Sequence, residues 1–454
     1  MTKRCKQCQR EIEGKAKTCP HCQADQRNWL ARHRVLAGLA VLLVLFTVVN
    51  IVVSQLYTAQ LIRTDVHCAN VSSQDVSQKL QCLISSFVGK DSSVKNIELA
   101  VSKGDGSYSW AGAAGIANQQ AHIPMTTQTP NYIASVTKIY IATAIMKLSE
   151  AKALALDDPM ARYLPADLIK GIDVYQGKDY SNAVTIRELV SMTSGLPDYY
   201  EEKGPDGKSM FDVFVQHPEK VWTVEALIGR ARDALHPRFP PGTSVYYSDT
   251  NYLLLGKIIE QVTHTQLSSV LEDFFFRPLG LQHTWLVGYP RPQISASVTP
   301  ADVFYQDQNI TNVRASRDYW ADGGIVSTAG DMLSFLKALN EGKLVTRQSL
   351  ATMQTWRDGY IPGPPGVQYG YGLWYFQLPG PMSVLRNVTP TWGVTGSTGS
   401  FLYYSKALQV YMAGTVNSAS SDITPFLLMG GVLNLLSPMG SCQRGVPAAA
   451  ASPR

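Results

Sequence analysis

Pro130-Asn-Tyr-Ile-Ala-Ser-Val-Thr-Lys-Ile-Tyr-Ile-Ala-Thr-Ala-Ile-Met-Lys-Leu148 is an extended lead that passes at once into an apolar helical run. At its mouth stands Ser135-Val-Thr-Lys138, an S-x-x-K element. A serine here meets the positive end of the helix dipole, which favours a developing oxyanion, and Lys138 projects from the same face one turn later. In an apolar setting a lysine is pushed towards neutrality and becomes an acceptor for the serine proton. The spacing alone is weak, because it recurs at Ser92 to Lys95, Ser149 to Lys152 and Ser334 to Lys337.

Working outward, Val76, Leu80, Leu83, Ile84 and Phe87 fall at helical spacing. Asn96-Ile-Glu-Leu-Ala-Val-Ser102, the turn Gly104-Asp-Gly106 and Tyr108 to Gly115 read as a hairpin. The middle is helical and loop-rich. Gly393 to Ser397, Phe401-Leu-Tyr-Tyr404 and Gln409 to Gly414 read as strands, followed by a helix over Thr424 to Leu436. Strands at both ends around a helical middle predict an α/β (α+β) domain over 76–437. Its antiparallel sheet is built from both ends, flanked by helices, with a mainly helical inserted subdomain.

The other routes to hydrolysis lack support. There is no G-x-S-x-G and no H-E-x-x-H, the eight histidines are scattered, and Gly207-Lys-Ser209 has Glu202 where a phosphate loop needs its leading glycine. Net charge is +5, but 1–34 carries 9 Lys and Arg against 3 Asp and Glu, or +6, leaving about −1 for the rest. No basic stripe for nucleic acid exists in the large domain.

The surroundings of Ser135 resemble the serine β-lactamase and penicillin-binding superfamily, particularly class C β-lactamases, D,D-carboxypeptidases and related esterases. Ile133 to Lys138 is similar to the family's nucleophile segment and Leu154 to Pro165 to the stretch after it. Ile186-Arg-Glu-Leu-Val-Ser-Met-Thr-Ser-Gly-Leu-Pro197 has Met192 where histidine is usual. Tyr247-Ser-Asp249 stands for Tyr-x-Asn, Gly323 to Asp331 matches a structural signature, and Val394-Thr-Gly-Ser397 occupies the place of Lys-Thr-Gly. The resemblance implies Ser135 as nucleophile, Lys138 and Tyr247 as partners in proton transfer, and Asp249, Val394, Thr395, Gly396 and Ser397 as substrate-binding positions. It also implies an oxyanion hole from the backbone N–H groups of Ser135 and Ser397, with no cofactor at the catalytic site.

Two departures stand out. Asp249 replaces an amide donor by an acceptor for the Lys138 ammonium, which moves the base role towards Tyr247. Val394 removes a cation that helps bind a substrate carboxylate. The implied activity is therefore acyl-enzyme hydrolysis of an amide or ester, such as D-amino-acid peptides of the cell wall, β-lactams or small esters. The alternative is a catalytically lapsed, penicillin-binding-like sensor. Trp392 offers either an aromatic contact to substrate or a packed sheet residue.

The N-terminal segment is of another kind. Cys5-Lys-Gln-Cys8 and Cys19-Pro-His-Cys22 form two C-x-x-C knuckles whose thiolates can converge on one structural Zn²⁺, giving a ribbon over 1–26, with His21 a spacer. Residues 35–56 are uncharged and long enough to span a ~30 Å hydrocarbon core. Arg27, Arg32 and Arg34 before them place the N-terminus in the cytoplasm and the hydrolase domain outside, as a single-pass membrane protein whose ribbon has a cytoplasmic protein partner. A cleaved signal peptide is disfavoured by the long preceding module. Residues 57–75 read as a linker, Cys68 and Cys82 as a possible bridge, and 438–454 as a disordered tail.

Overall fold

The computed structural model describes residues 2–25, 45, 75–290, 298–314, 319–364, 366–376, 390–420 and 423–437. The chain divides into two units, Met1–Arg63 and Thr64–Arg454. Apart from Leu45, the expected span at 35–56 lies outside the described residues, as do the tail and nearly all of the linker. Among the described residues no helix is long and apolar enough to cross a membrane.

In the first unit, β1 (Thr2–Arg4) pairs antiparallel with β2 (Glu11–Glu13). Ile12 packs with Cys5 and Cys19 in a cluster too small to be a core of its own.

The second unit begins with α1 (Val76–Phe87), capped by Asp75, whose carboxylate accepts from the Ser77 N–H at 2.9 Å. Leu80, Leu83, Ile84 and Phe87 are its buried stripe, as the spacing predicts. The hairpin follows as β3 (Asn96–Lys103) and β4 (Ser109–Asn118), with β5 (Ile123–Pro124) on its outer edge. From the far end of the chain come β9 (Val367–Tyr369), β10 (Trp374–Phe376), β11 (Thr391–Thr395), β12 (Ser400–Ser405) and β13 (Val410–Thr415). All join one antiparallel sheet in the order β9-β10-β11-β12-β13-β3-β4-β5. The two halves meet where Val410 pairs with Lys103 and Thr415 with Glu98, so the sheet is indeed assembled from both ends.

Helices cover both faces of the sheet. A Cβ on Gly112, opposite Leu99, would meet the Trp110 ring at 2.4 Å and Gln81 of α1 at 2.7 Å. On the other face Ser102 accepts from Lys337 at 2.6 Å and its neighbour Tyr411 from Asn340 at 2.6 Å, both on α6 (Ala329–Asn340). Seven of the eight β3 residues are buried, as a strand covered on both sides requires. The chain ends in α7 (Thr424–Leu436), close to the predicted bounds.

The inserted middle supplies α2 (Thr137–Glu150), α3 (Ile186–Val190), α4 (Val224–Ala234) and α5 (Asp249–Thr263). It also holds a small sheet, β6 (Asn131–Tyr132), β8 (Ile325–Ser327) and β7 (Trp285–Leu286), in that order, which the sequence did not suggest. Strands of two or three residues are too short to show a period of two.

Candidate active site

Ser135 sits in a single 3₁₀ turn, Ala134–Val136, between β6 and the start of α2. Ala134 has φ +46°, a left-handed conformation that an L side chain takes at a cost of about 1–3 kcal/mol and keeps only where its neighbours enforce it. Ser400 Oγ donates to the Ile133 carbonyl at 2.6 Å and Thr398 Oγ1 to that of Tyr132 at 2.7 Å. The Ile133 N–H bonds to the Ile325 carbonyl, and the Ile325 N–H to Thr137 Oγ1 at 3.0 Å. The turn is thus stitched to β8 on one side and to the β11–β12 connection on the other.

Lys138 is 1% exposed. Its ammonium faces three oxygens: Ser135 Oγ at 3.0 Å, the Asp322 carbonyl at 2.6 Å and Asp249 Oδ1 at 2.5 Å. Ser135 and Asp322 each accept a hydrogen bond, while Asp249 Oδ1 is in ion-pair contact without hydrogen-bond geometry. Burial, the largest single influence, pushes the ammonium towards neutrality, but Asp249, Tyr247 and Asp322 together outweigh it and hold it above the ordinary lysine value. The neutral lysine expected of an apolar setting is therefore not the resting form, because the setting contains an ionisable carboxyl in contact with the amine. Of the four S-x-x-K elements this one joins its own serine and lysine; Ser334 bonds back to the Gly330 carbonyl while Lys337 reaches Ser102.

Tyr247 precedes α5 and lies edge-on to Tyr369 and Trp374, with its ring centroid 5.2 Å from Lys138 Nζ. Its hydroxyl is buried and, among the described residues, meets no partner at hydrogen-bond geometry. Burial raises the phenol pKa, against the pull of Lys138 and Ser135.

The 192–198 segment holds the start of α5 in place. Met192, where the resembled family carries histidine, accepts at its sulfur from the Ser248 N–H at 3.3 Å and from Asn251 Nδ2 at 3.2 Å. Ser248 and Thr250 hydroxyls both donate to the Pro197 carbonyl. Asp198 Oδ1 accepts from the Asp249 N–H at 3.0 Å. Two acids the sequence reading missed therefore border the site. Burial, then the charge of Asp249, lifts Asp198 well above its usual value and Asp322 to about 6, and Tyr199 donates to the Asp322 carboxylate at 2.7 Å. The available signal was position: Asp198 follows Gly195-Leu-Pro197 and Asp322 precedes Gly323-Gly324.

The end of β11 closes the site. A Cβ on Gly396 would lie 2.4 Å from the Ile133 carbonyl and 3.1 Å from the Ser135 nitrogen, so the two segments approach as only glycine permits. Pairing of Val394 with Leu402, Leu402 with Ala413 and Ala413 with Ala100 puts Val394 on the α6 face, and it is 1% exposed. Thr395 hydrogen-bonds the Tyr403 hydroxyl at 3.0 Å, while Ser397 is exposed in the following turn. Trp392 is buried edge-on to Tyr404 within the sheet.

A model of the family described as Beta-lactamase matches residues 89–424, about three quarters of the sequence. The chain belongs to the Beta-lactamase family. A curated member, "Putative D-alanyl-D-alanine carboxypeptidase" from Escherichia coli, is 30% identical over 224 residues, 46% of this chain and 48% of that relative. The chain spans about half to two thirds of the length of the curated relatives it matches. Among solved members of this fold, the octameric penicillin-binding protein homologue from Pyrococcus abyssi aligns at TM-score 0.61 and 26% identity, over 76% of this chain and 74% of the other. The D-amino acid amidase from Ochrobactrum anthropi in complex with D-phenylalanine aligns at TM-score 0.65 and 22% identity, over 80% and 99%, a likeness of fold. The Beta-lactamase fold requires no cofactor at Ser135.

In the first unit the four thiols of Cys5, Cys8, Cys19 and Cys22 lie within 4.8 Å of one another. Cys5 Sγ is 3.6 Å from Cys22 Sγ, and Cys8 Sγ 3.6 Å from Cys19 Sγ. A tetrahedral centre with Zn–S bonds of ~2.3 Å sets sulfurs about 3.8 Å apart, so the set fits a metal ion. The N–H groups of Gln7 and Cys8 point at Cys5 Sγ, as in a knuckle around a thiolate. Cys82 is in a disulfide whose partner lies outside the described residues.

Proposed function

We propose that this chain is a serine hydrolase that works through an acyl-enzyme on Ser135, anchored by residues 35–56 with its hydrolase domain outside the cytoplasm. The observation that carries the reading is the contact of Ser135 Oγ with Lys138 Nζ at 3.0 Å, beside a buried Tyr247 hydroxyl that makes no hydrogen bond among the described residues. Ser135 attacks the carbonyl, and Lys138 and Tyr247 handle its proton and return one to the leaving group. Backbone N–H groups of Ser135 and Ser397 receive the oxyanion, each worth about 2.7–4 kcal/mol.

Substrate choice follows from the end of β11. Val394 offers no cation for a substrate carboxylate, Thr395 turns its hydroxyl to Tyr403, and the contribution of 394–397 is through backbone and shape. Amides, esters and D-amino-acid peptides that do not depend on a terminal carboxylate fit best. The carboxypeptidase and amidase descriptions of the similar proteins support an amide bond beside a D-residue. Turnover of a D-amino-acid amide and a short-chain ester tests this: Ser135→Ala should abolish both, and turnover surviving that change would refute it.

A second reading, a lapsed enzyme that binds wall fragments or β-lactams and signals to the ribbon, is favoured by one observation, the Lys138 ammonium held by Asp249. Saturable binding that survives Ser135→Ala with no covalent intermediate would support it. The four cysteines would hold a structural Zn²⁺ that orders the ribbon for a cytoplasmic partner.

A further inference from the structure

Asp249 is the residue that sets this site apart, and its surroundings suggest a use for it. Its Oδ1 lies 2.5 Å from Lys138 Nζ as an ion pair outside hydrogen-bond geometry, and Lys138 bonds Ser135 at 3.0 Å, so hydroxyl, amine and carboxyl stand in contact one after another. Lys138 is 1% exposed and Asp249 6%, which leaves little solvent between them. Resting on the hydrolase reading above, we propose that Asp249 is the terminal acceptor of a proton relay, taking through Lys138 the proton that Ser135 loses on attack.

In the resting pair Lys138 carries the charge and donates to Ser135, so it has no lone pair to offer. Closure of substrate over the cleft removes the remaining water, and removing water disfavours both charges of a buried pair together. A proton then passes from Nζ to Oδ1, leaving a neutral amine and a carboxylic acid. The amine keeps an N–H on the Asp322 carbonyl and turns its lone pair to Ser135 Oγ. As Oγ bonds to the substrate carbonyl carbon, its proton goes to Nζ and the carbonyl π pair moves to the oxygen in the oxyanion hole. When the tetrahedral species collapses, the bond to the leaving amine or alcohol breaks. That group takes a proton from Nζ, which recovers one from Oδ1, and the pair ends as it began. With asparagine at 249 this route is closed, and Lys138 must be neutral before substrate arrives.

Besides Lys138, the titratable groups facing Asp249 are Asp198, Tyr199, Tyr247, Asp322 and Tyr369. Asp198 and Asp322 belong to the background that stays when 249 is changed.

The test is the rate of Ser135 phosphonylation by a fluorophosphonate across pH 4–10 (about three units either side of neutrality), using the full chain as wild type, Asp249→Asn, Asp249→Glu and Ser135→Ala. The probe needs no knowledge of the natural substrate. The relay predicts that Asp249→Asn slows labelling at neutral pH by about 10²-fold and moves the acid limb up by more than one pH unit, while Asp249→Glu returns the limb to its wild-type place at a lower maximal rate. An acid limb unmoved by Asp249→Asn, or faster labelling with the limb moved down, overturns the relay and leaves the nucleophile standing. Absence of Ser135-dependent labelling in the wild type at every pH overturns the hydrolase reading itself. Should Asp249→Asn not fold, Asp249→Glu decides, since a limb displaced upward in that variant is equally fatal.

Discussion

The Tyr247 hydroxyl is buried near Lys138 and Ser135 but makes no hydrogen bond of good geometry among the described residues, so removing it breaks none of these. Tyr247→Phe should therefore leave the unfolding midpoint unchanged or slightly raised while kcat falls by ~10²–10⁴. A parallel fall in both would make the residue a packing element. Lys138 behaves differently. Lys138→Ala leaves Asp249 buried without its counter-charge, which costs about 3–5 kcal/mol, and chemical denaturation should show that loss along with lost turnover. The set Ser135, Lys138 and Tyr247 was legible through the family resemblance of several ordered segments, because the S-x-x-K spacing recurs elsewhere in the chain. The pull of Asp249 on the Lys138 ammonium was legible as well, whereas the part played by Asp322, brought to the amine only by folding, was not.

At the scale of elements, the nucleophile turn is held by the β11–β12 connection. Gly396→Ala would drive a methyl group into the Ile133 carbonyl and Ser400 Oγ, each 2.4 Å away. The turn would shift, and kcat should fall more than substrate affinity, a split that steady-state kinetics resolves. The β3–α6 contact carries a second prediction. Glu98 is 1% exposed and accepts from Asn131 Nδ2 at 2.6 Å and from the Ala329 N–H at 3.1 Å. Burial raises its pKa well above the ordinary value, so the folded state keeps a proton that the unfolded chain releases. Its stabilising effect is complete below the unfolded Glu pKa and is lost as pH rises towards the folded one, by at most about 1.4 kcal/mol per unit. Glu98→Gln, which mimics the protonated form, should flatten the fall in unfolding free energy over that range. The hairpin and the C-terminal strands were readable from alternation and turn residues, whereas β6, β7 and β8 were too short to show a pattern.

For the whole molecule, the two units answer to different forces. The second has a sheet covered on both faces and buried helices. The first has Ile12 and two cysteines at its centre, and on the proposed zinc site the metal would supply its folding free energy. The four-cysteine pattern was plain in the sequence because knuckle spacing alone sets it. Metal analysis should find one zinc per chain, and chelation should abolish structure in 2–25 while leaving Ser135 labelling unchanged; loss of both together would make the ribbon a part of the hydrolase. The union of both chain ends in one sheet was likewise foreseeable. The missing cation at Val394 and its bearing on substrate choice were visible too, but the register that turns Val394 towards α6 is a property of the assembled sheet. Rapid acid quench during turnover of a short-chain ester, followed by peptide mapping, should find the acyl group on Ser135 and none in Ser135→Ala; an acyl group on another residue, or undiminished turnover in Ser135→Ala, would contradict it.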